Sequence, residues 1–520
     1  MKWDYIIVGA GSSGCAVAHE LIKAGRSVLV VEAGGWDRSP FVRVAAGQRQ
    51  ACENYDWGYR SQPDPSRHGA FEAWTRGRVL GGSSSINGTM YVRGAAQDFD
   101  RWRIPGWSAA DIMPLYRDLE TSDQLSPWRG RQGPLHVRTV KRPHAVTEAF
   151  VRSACELGYP FNADYNGAAQ EGVAYAQLSQ RGGFRCSSAD AFLKPLVRKR
   201  NLRLLLNTVA EKLEIKGGRA VSVSLCHNGK RFEESARDII LCGGVINSPK
   251  LLMLSGIGDA HDLQRLNIPV ILNLPGVGRN LKEHPLVILG YRSRVPTYNL
   301  TEGLRQKIQV LAQFLRFGEG PISNLFEAVA FVKSAPTVST PDLQIIFMPF
   351  GYVGRPTGGY ELAPYPSVMA LLISSYPRSR GRIRLATANP TDTPLIEARL
   401  LEQQSDVDTL IRGIRTVRSV MGGQHIGPML EGELEGGGNG NGSDLEDYVR
   451  RSTGISHHSI GTCRMGVDED SVVGPDQRVA NLENVWVADA SVIPDHISAN
   501  INAICMLIGV KLGRYLAGRQ

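Results

Sequence analysis

The stretch that most limits what this chain can fold into is near its start, "DYIIVGAGSSGCAVAHELIKAGRSVLVVEAGG". An apolar strand, Tyr5 to Val8, runs into Gly9-Ala10-Gly11-Ser12-Ser13-Gly14. A helical pattern follows to about Ala24, and a second apolar strand, Val28 to Val31, ends in Glu32. Strand, glycine turn, helix and strand closing on an acid make the βαβ unit that binds dinucleotides. Gly9 permits the tight turn, Gly11 lets backbone amides approach a pyrophosphate, and Gly14 lets helix and strand pack closely. The helix N-terminus then faces the phosphates. Glu32 can accept hydrogen bonds from both ribose hydroxyls and would repel a 2′-phosphate. The pattern therefore argues against NADP and leaves FAD and NAD unseparated.

A chain of 520 residues is too long for one core, so two domains, possibly interleaved, are expected. At 42% hydrophobic and 21% charged it has the composition of an ordinary globular protein. The net charge of +9 is scattered along the chain, which argues for a solvated surface and against a nucleic-acid partner. Eight cysteines show no paired metal spacing and several sit in apolar runs, as reduced thiols of a cytoplasmic protein do. No signal peptide is expected ahead of a strand that begins almost at Asp4. No transmembrane segment is expected either, because Lys511 and Arg514 interrupt the last apolar stretch.

Further along, "RGRVLGGSSSINGTMYVRG" (Arg76 to Gly94) combines permissive backbone with little charge and no helical period. Strands are expected to meet at Gly217-Gly218, and "RDIILCGGVINSPKLLMLSGIG" reads as strand, glycine break and helix. Residues 290 to 450 mix short strands, prolines and helices, with "EGGGNGNGS" as a flexible surface loop. The last seventy residues return to a strand, "NVWVADASVIP", and an apolar-periodic helix, "NAICMLIGVKLGRYLAG". Just before them, "ISHHSIGTCRMG" sets His457 beside His458. A zinc site is not expected: no cysteine or carboxylate lies at ligand spacing, and adjacent side chains on an extended segment point opposite ways.

Together these motifs resemble the glucose–methanol–choline (GMC) flavoprotein oxidoreductases. One family signature is matched by Gly77-Arg78-Val79-Leu80-Gly81-Gly82-Ser83-Ser84-Ser85-Ile86-Asn87 followed by Tyr91, and a second by Gly243-Gly244-Val245-Ile246-Asn247-Ser248-Pro249 through Ser255-Gly256-Ile257-Gly258. "GVGRNLKEH", "SRGRIRL", "HHSIGTCRMG" and "VADASVIP…SANINA" match later stretches in order, so the resemblance spans nearly the whole chain.

The resemblance implies an α/β protein. A Rossmann-like FAD-binding domain (1–140, 185–285 and 452–520) would be interleaved with an α+β substrate domain (141–184 and 286–451) carrying an antiparallel sheet flanked by helices. It implies FAD rather than NAD, held noncovalently, since Ile86 stands where some members carry the linking histidine. It implies oxidation of a primary alcohol to an aldehyde, with dioxygen or another acceptor taking the electrons. His458, three residues before Gly461, would be the catalytic base; a neutral imidazole can take the hydroxyl proton and leave a hydride-donating alkoxide. Asn500 would hold that alkoxide, with Asn502 as its near neighbour; a helix begins just after them, so either can cap it. Its N-terminus, at Ile501, would face the flavin. His457 would face the substrate or the protein wall.

By the same resemblance, Gly9, Gly11, Ser12, Ser13 and Gly14 would serve the pyrophosphate, and Glu32, Ala33 and Val209 the adenosine. Val79, Gly82, Asn87, Gly88, Thr89 and Met90 would wrap the flavin, with Asp489 and Ala490 at the phosphate–ribityl region. Glu327 would be structural. Two rival readings are a lyase of the same fold whose flavin does no redox work, and a noncatalytic flavin-binding protein.

Overall fold

The expected βαβ unit forms at the expected place. Strand β1 (Trp3–Val8) leads into helix α1 (Ser12–Lys23) and then β2 (Val28–Val31). The computed structural model describes residues 3–299, 303–354, 360–434 and 442–519; most of the "EGGGNGNGS" loop (435–441) lies outside the described residues.

Two sheets organise these residues. In the first, β1 is flanked by β2 on one side and Ala236–Leu241 on the other, with Leu202–Leu205 and Val485–Val487 at the edges; all five strands run parallel. Val28–Val31 and the later halves of β1 and Ala236–Leu241 are continuous apolar runs because both faces are covered, as parallel sheets require. The second sheet has seven antiparallel strands built around Pro285–Ser293, Ala328–Val332, Leu343–Met348 and Ser367–Ser374. Helices cover one of its faces: Phe150, from helix Ala145–Glu156, stacks on Phe347 with ring centroids 4.6 Å apart. Gly413, from helix Gln404–Met421, lies against Leu372. Because side chains alternate along a strand, Phe347 on the helix side leaves Gln344 and Met348 on the other face.

The last helix, α2 (Asn502–Ala517), lies directly on α1. Two glycines allow that approach. A methyl built on Gly509 would stand 2.3 Å from the Ser13 carbonyl oxygen, and one on Gly513 would stand 2.8 Å from Glu20 Cβ. The Ser12 hydroxyl donates to Asn502 Oδ1 at 2.7 Å, so the two helices begin side by side. Asn502 is thereby the first residue of the helix and its side chain faces α1. The N-cap position is Ile501 and no side chain caps the end, which corrects the expectation of an asparagine cap.

Gly509→Ala is expected to destabilise the protein by about 1–3 kcal/mol, since the obstruction is backbone and the helices must part. Thermal melts beside Gly432→Ala, whose added methyl would meet nothing within 4 Å, check this.

Candidate active site

The loop glycines divide the work as their positions demand. Gly9 has φ +105°, and a methyl on it would strike the Cys242 carbonyl oxygen at 2.4 Å; one on Gly14 would strike the Gly9 oxygen at 2.0 Å. Gly11 differs, because a methyl there would meet nothing within 4 Å. The start of α1 therefore opens onto free space at Gly11, and no side chain caps it. Ser12 is half-buried beside that opening and Ser13 is buried. Two uncapped helix N-termini, those of α1 and α2, thus converge at the Ser12–Asn502 contact, an arrangement suited to an anionic group such as a pyrophosphate.

The second glycine-rich segment lies along the first. The Gly81 amide donates to the Ala10 oxygen at 2.8 Å, Val79 pairs with Gly35, and Gly82 is so close to Gly11 that a methyl on it would stand 2.8 Å from Gly11 Cα. Beyond it, Asn87 Oδ1 accepts from Arg185 and from the Thr89 amide. Gly88 lies under the Phe326 ring, Thr89 takes φ 64°, and Met90 bridges to Leu178. Ile86 is buried in an apolar cluster with Val42, Ala51 and Val79.

Two carboxylates expected at the nucleotide are engaged by backbone. Glu32 is buried, and its oxygens accept from the amides of Ala10 and Gly34, each at 2.8 Å. Burial pushes its pKa up and those two amides oppose the shift. Glu32 thus braces the glycine loop, with Ala33 just beyond it; the Glu32 carbonyl accepts from Thr208, which sets Val209 alongside. Asp489 accepts from the Gly244 amide, the Ser248 hydroxyl and the Ser491 amide. Its carboxylate faces the helix Gly244–Leu254, and Ala490 follows it in the chain.

His458 and Asn500 meet, although 42 residues separate them: Asn500 Nδ2 lies 3.0 Å from His458 Nε2. The other ring nitrogen, Nδ1, lies 3.1 Å from Nδ1 of His284, whose Nε2 lies 3.0 Å from the Ser375 carbonyl oxygen. A carbonyl oxygen can only accept, so neutral His284 carries its proton on Nε2 and offers a bare Nδ1. His458 must then donate from Nδ1, which leaves its Nε2 bare and facing the Asn500 amide. Gln344 Nε2 donates to Asn500 Oδ1 at 3.0 Å, which orients that amide. The chain Gln344, Asn500, His458, His284, Ser375 has one consistent direction.

The backbone of His458 is held as firmly. Its amide donates to Glu283 Oε1 at 2.6 Å, and the same carboxylate accepts from the amide of His284 and the hydroxyl of Ser459. Burial pushes Glu283 up to about 7, while Arg76 at 3.9 Å pulls the other way. His457, just before it, has φ 61° and so is not on an extended segment, which corrects the expectation for this stretch. His457 is exposed, whereas His458 beside it is buried.

Burial also sets the imidazole charge. His458 is held well below the ordinary value, first by burial, then by His284, His457 and Arg76. His284 is driven down to about 3, again mainly by burial. His496, stacked on His284 with centroids 3.9 Å apart, is also held low, and neither of its ring nitrogens has a hydrogen-bond partner among the described residues.

His284, Gln344 and Glu283 carry this geometry without any role assigned to them from sequence. The available signals were a histidine directly after an acid and a lone glutamine in a wholly buried strand. Glu327 is buried and accepts from the His144 amide, Thr147 and Tyr298, a structural set of partners. Among the described residues no group of three or more His, Cys, Asp or Glu could hold a metal ion, all eight cysteines are free, and no helix is long and apolar enough to cross a membrane.

Two family models, each described as GMC oxidoreductase, match the chain, an N-terminal one over residues 3–286 and a C-terminal one over 377–509. The chain is 35% identical over 533 residues to an oxygen-dependent choline dehydrogenase of Brucella suis biovar 1, covering all of this chain and 96% of that one. It is 36% identical over 544 residues to one of Sinorhizobium fredii, with the same coverage. Among solved structures, a pyridoxine 4-oxidase from Mesorbium loti superposes with TM-score 0.90 at 27% identity, covering 99% of both chains. A formate oxidase of Aspergillus oryzae, at 24% identity and TM-score 0.90 over 99% and 98% of the chains, shares the fold.

His496 tests the electrostatic account. A histidine whose folded pKa is depressed contributes stability above its unfolded value, near 6.5, and loses it as pH falls. His496→Gln removes one such group. Below pH 6.5 the stability of the variant relative to wild type should therefore improve by up to about 1.4 kcal/mol per pH unit. Denaturant melts at a series of pH values check the sign.

Proposed function

The chain belongs to the GMC oxidoreductase family of FAD-dependent enzymes, and from that premise we propose that it oxidises a small primary alcohol to the aldehyde, with His458 as base and Asn500 as the holder of the alkoxide. The observation that carries this reading is the bare Nε2 of His458 beside the Asn500 amide. A substrate hydroxyl entering between the two would displace the Asn500 N–H from Nε2, donate to that nitrogen and accept from the Asn500 amide. As the proton moves to Nε2, the Nδ1 proton stays in its bond to His284, which steadies the imidazolium. His284 and Gln344 are positioning residues, since each acts through its neighbour. FAD, when bound, supplies the acceptor for the hydride that leaves the alcohol carbon, with dioxygen or another acceptor as final oxidant. The open backbone at Gly11, the paired helix ends and the segment from Val79 to Met90 are the groups that would hold it, noncovalently because Ile86 offers no linking atom.

The same proposal divides the chain into a flavin part (1–140, 185–285 and 452–520) and a substrate part (141–184 and 286–451). The relatives are named for choline, which supports a small polar alcohol as the substrate class. Nothing in the site favours a lyase or a noncatalytic role.

Anaerobic mixing with an alcohol panel tests this reading, because oxidation bleaches the yellow flavin and lyase chemistry does not. His458→Ala should stay yellow and lose at least about 10²-fold in bleaching rate. Asn500→Ala should lose roughly 10- to 10³-fold with a smaller effect on substrate affinity. Wild-type kcat/KM should be flat through neutral pH and fall only well below 6.5, because His458 stays neutral there. Normal bleaching by His458→Ala would overturn the assignment.

Acid precipitation of the holoenzyme should release all the yellow colour into the supernatant. Colour kept in the washed pellet would show a covalent flavin.

A further inference from the structure

One helix carries its apolar residues outward. The helix Leu304–Phe317 touches the body of the protein through Phe314, which packs against the Phe184 ring at 5.1 Å, and it ends at Gly318, seated against Gly182–Gly183. Four large apolar residues beside that anchor face water: Leu304 is 76% exposed, Ile308 58%, Leu311 49% and Leu315 73%. At 3.6 residues per turn these four fall within about 60° of arc, roughly opposite Val310, Gln313 and Phe317. The same geometry puts Arg305 and Arg316 along one border of the stripe and Lys307 along the other, and the helix contains no carboxylate. The loop before the helix is tied to a second exposed apolar point. Asn299 donates to the carbonyls of Gly351 and Ala363, at the base of the strand pair that exposes Tyr360 and Leu362.

A water-facing stripe of this kind has no stabilising role in an isolated chain, since each residue on it keeps its apolar surface in water. Fourteen residues are too few to span a bilayer, but an amphipathic helix bordered by cations on both sides suits the plane of a lipid surface. The leucines and isoleucine would enter the acyl boundary, while the arginines and lysine reach anionic headgroups. The structure assigns the helix Leu304–Phe317 as a docking face for an anionic phospholipid bilayer. Charge selects that occupant over a second copy of this chain, because two copies facing each other through this helix would bring six cations together.

The experiment is flotation of the full-length, FAD-loaded protein with vesicles of phosphatidylcholine alone or of equal parts phosphatidylcholine and phosphatidylglycerol. The protein should float with the mixed vesicles, much less with phosphatidylcholine alone, and come off as salt is raised. Ile308→Glu with Leu311→Glu should weaken flotation by at least about tenfold. Arg305→Gln with Lys307→Gln should weaken it on the mixed vesicles while keeping the apolar stripe. Both variants should retain wild-type flavin content and melting temperature; if the first does not, Leu304→Ser, at the exposed end of the helix, takes its place. Three results would each overturn the assignment: no flotation at low salt, equal flotation on both vesicle types, or a solution dimer that Ile308→Glu with Leu311→Glu dissociates.

Discussion

Close contact between the first and last helices is the constraint on which the rest of this structure depends. Gly509 and Gly513 let α2 settle onto α1 with backbone near backbone, and the Ser12–Asn502 bond sets their starts level. Two partial positive charges of helix ends then add in one place. Asn500 and Ile501, immediately before α2, are delivered to that place by the same contact. A side chain at Gly509 would press on the Ser13 backbone and strain the approach of the two helices.

The polar chain around His458 is the second level of order. Its direction originates at Ser375, a backbone oxygen that has no alternative role, and passes through two imidazoles to an amide. Neutrality is enforced by burial rather than by a counter-charge, since the carboxylate nearest the ring, Glu283, spends its oxygens on backbone amides and Ser459. A neutral acceptor behind the base keeps its outer nitrogen free of a proton over a wide pH range, and in exchange gives it less basicity than a carboxylate would.

Local patterns were legible in the sequence wherever one short segment contained the whole cause. The turn at Gly9, the open Gly11 and the packed Gly14 follow from strand, glycine spacing and helix within fourteen residues. The His458 and Asn500 positions were found by motif, but their bond could not be, because 42 residues separate them. His284 was harder still: its partner lies 174 residues away, and no periodicity records a contact between distant loops. Glu32 and Asp489, expected at the nucleotide, each also accept from nearby amides, a bracing role that the sequence does not display. An acid at a strand end looks the same in sequence whether its oxygens turn outward or back onto the turn that follows. Gln344 hid inside an apolar strand for the opposite reason, as a single polar residue whose partner belongs to another sheet's connection.

The order of strands in the parallel sheet has a consequence for how the protein is made. Its central strand is Trp3–Val8, but one neighbour follows only at Ala236–Leu241 and the far edge only at Val485–Val487. Until Leu202–Leu205 and Ala236–Leu241 are present, β1 and β2 form an apolar pair with open flanks, a state prone to mispairing. The pocket cannot begin to form until Asn500 has emerged and the last helix has closed over the first. A chain that stops short of Val485 therefore lacks one edge of the sheet, and one without the final helix leaves α1 with its outer side bare.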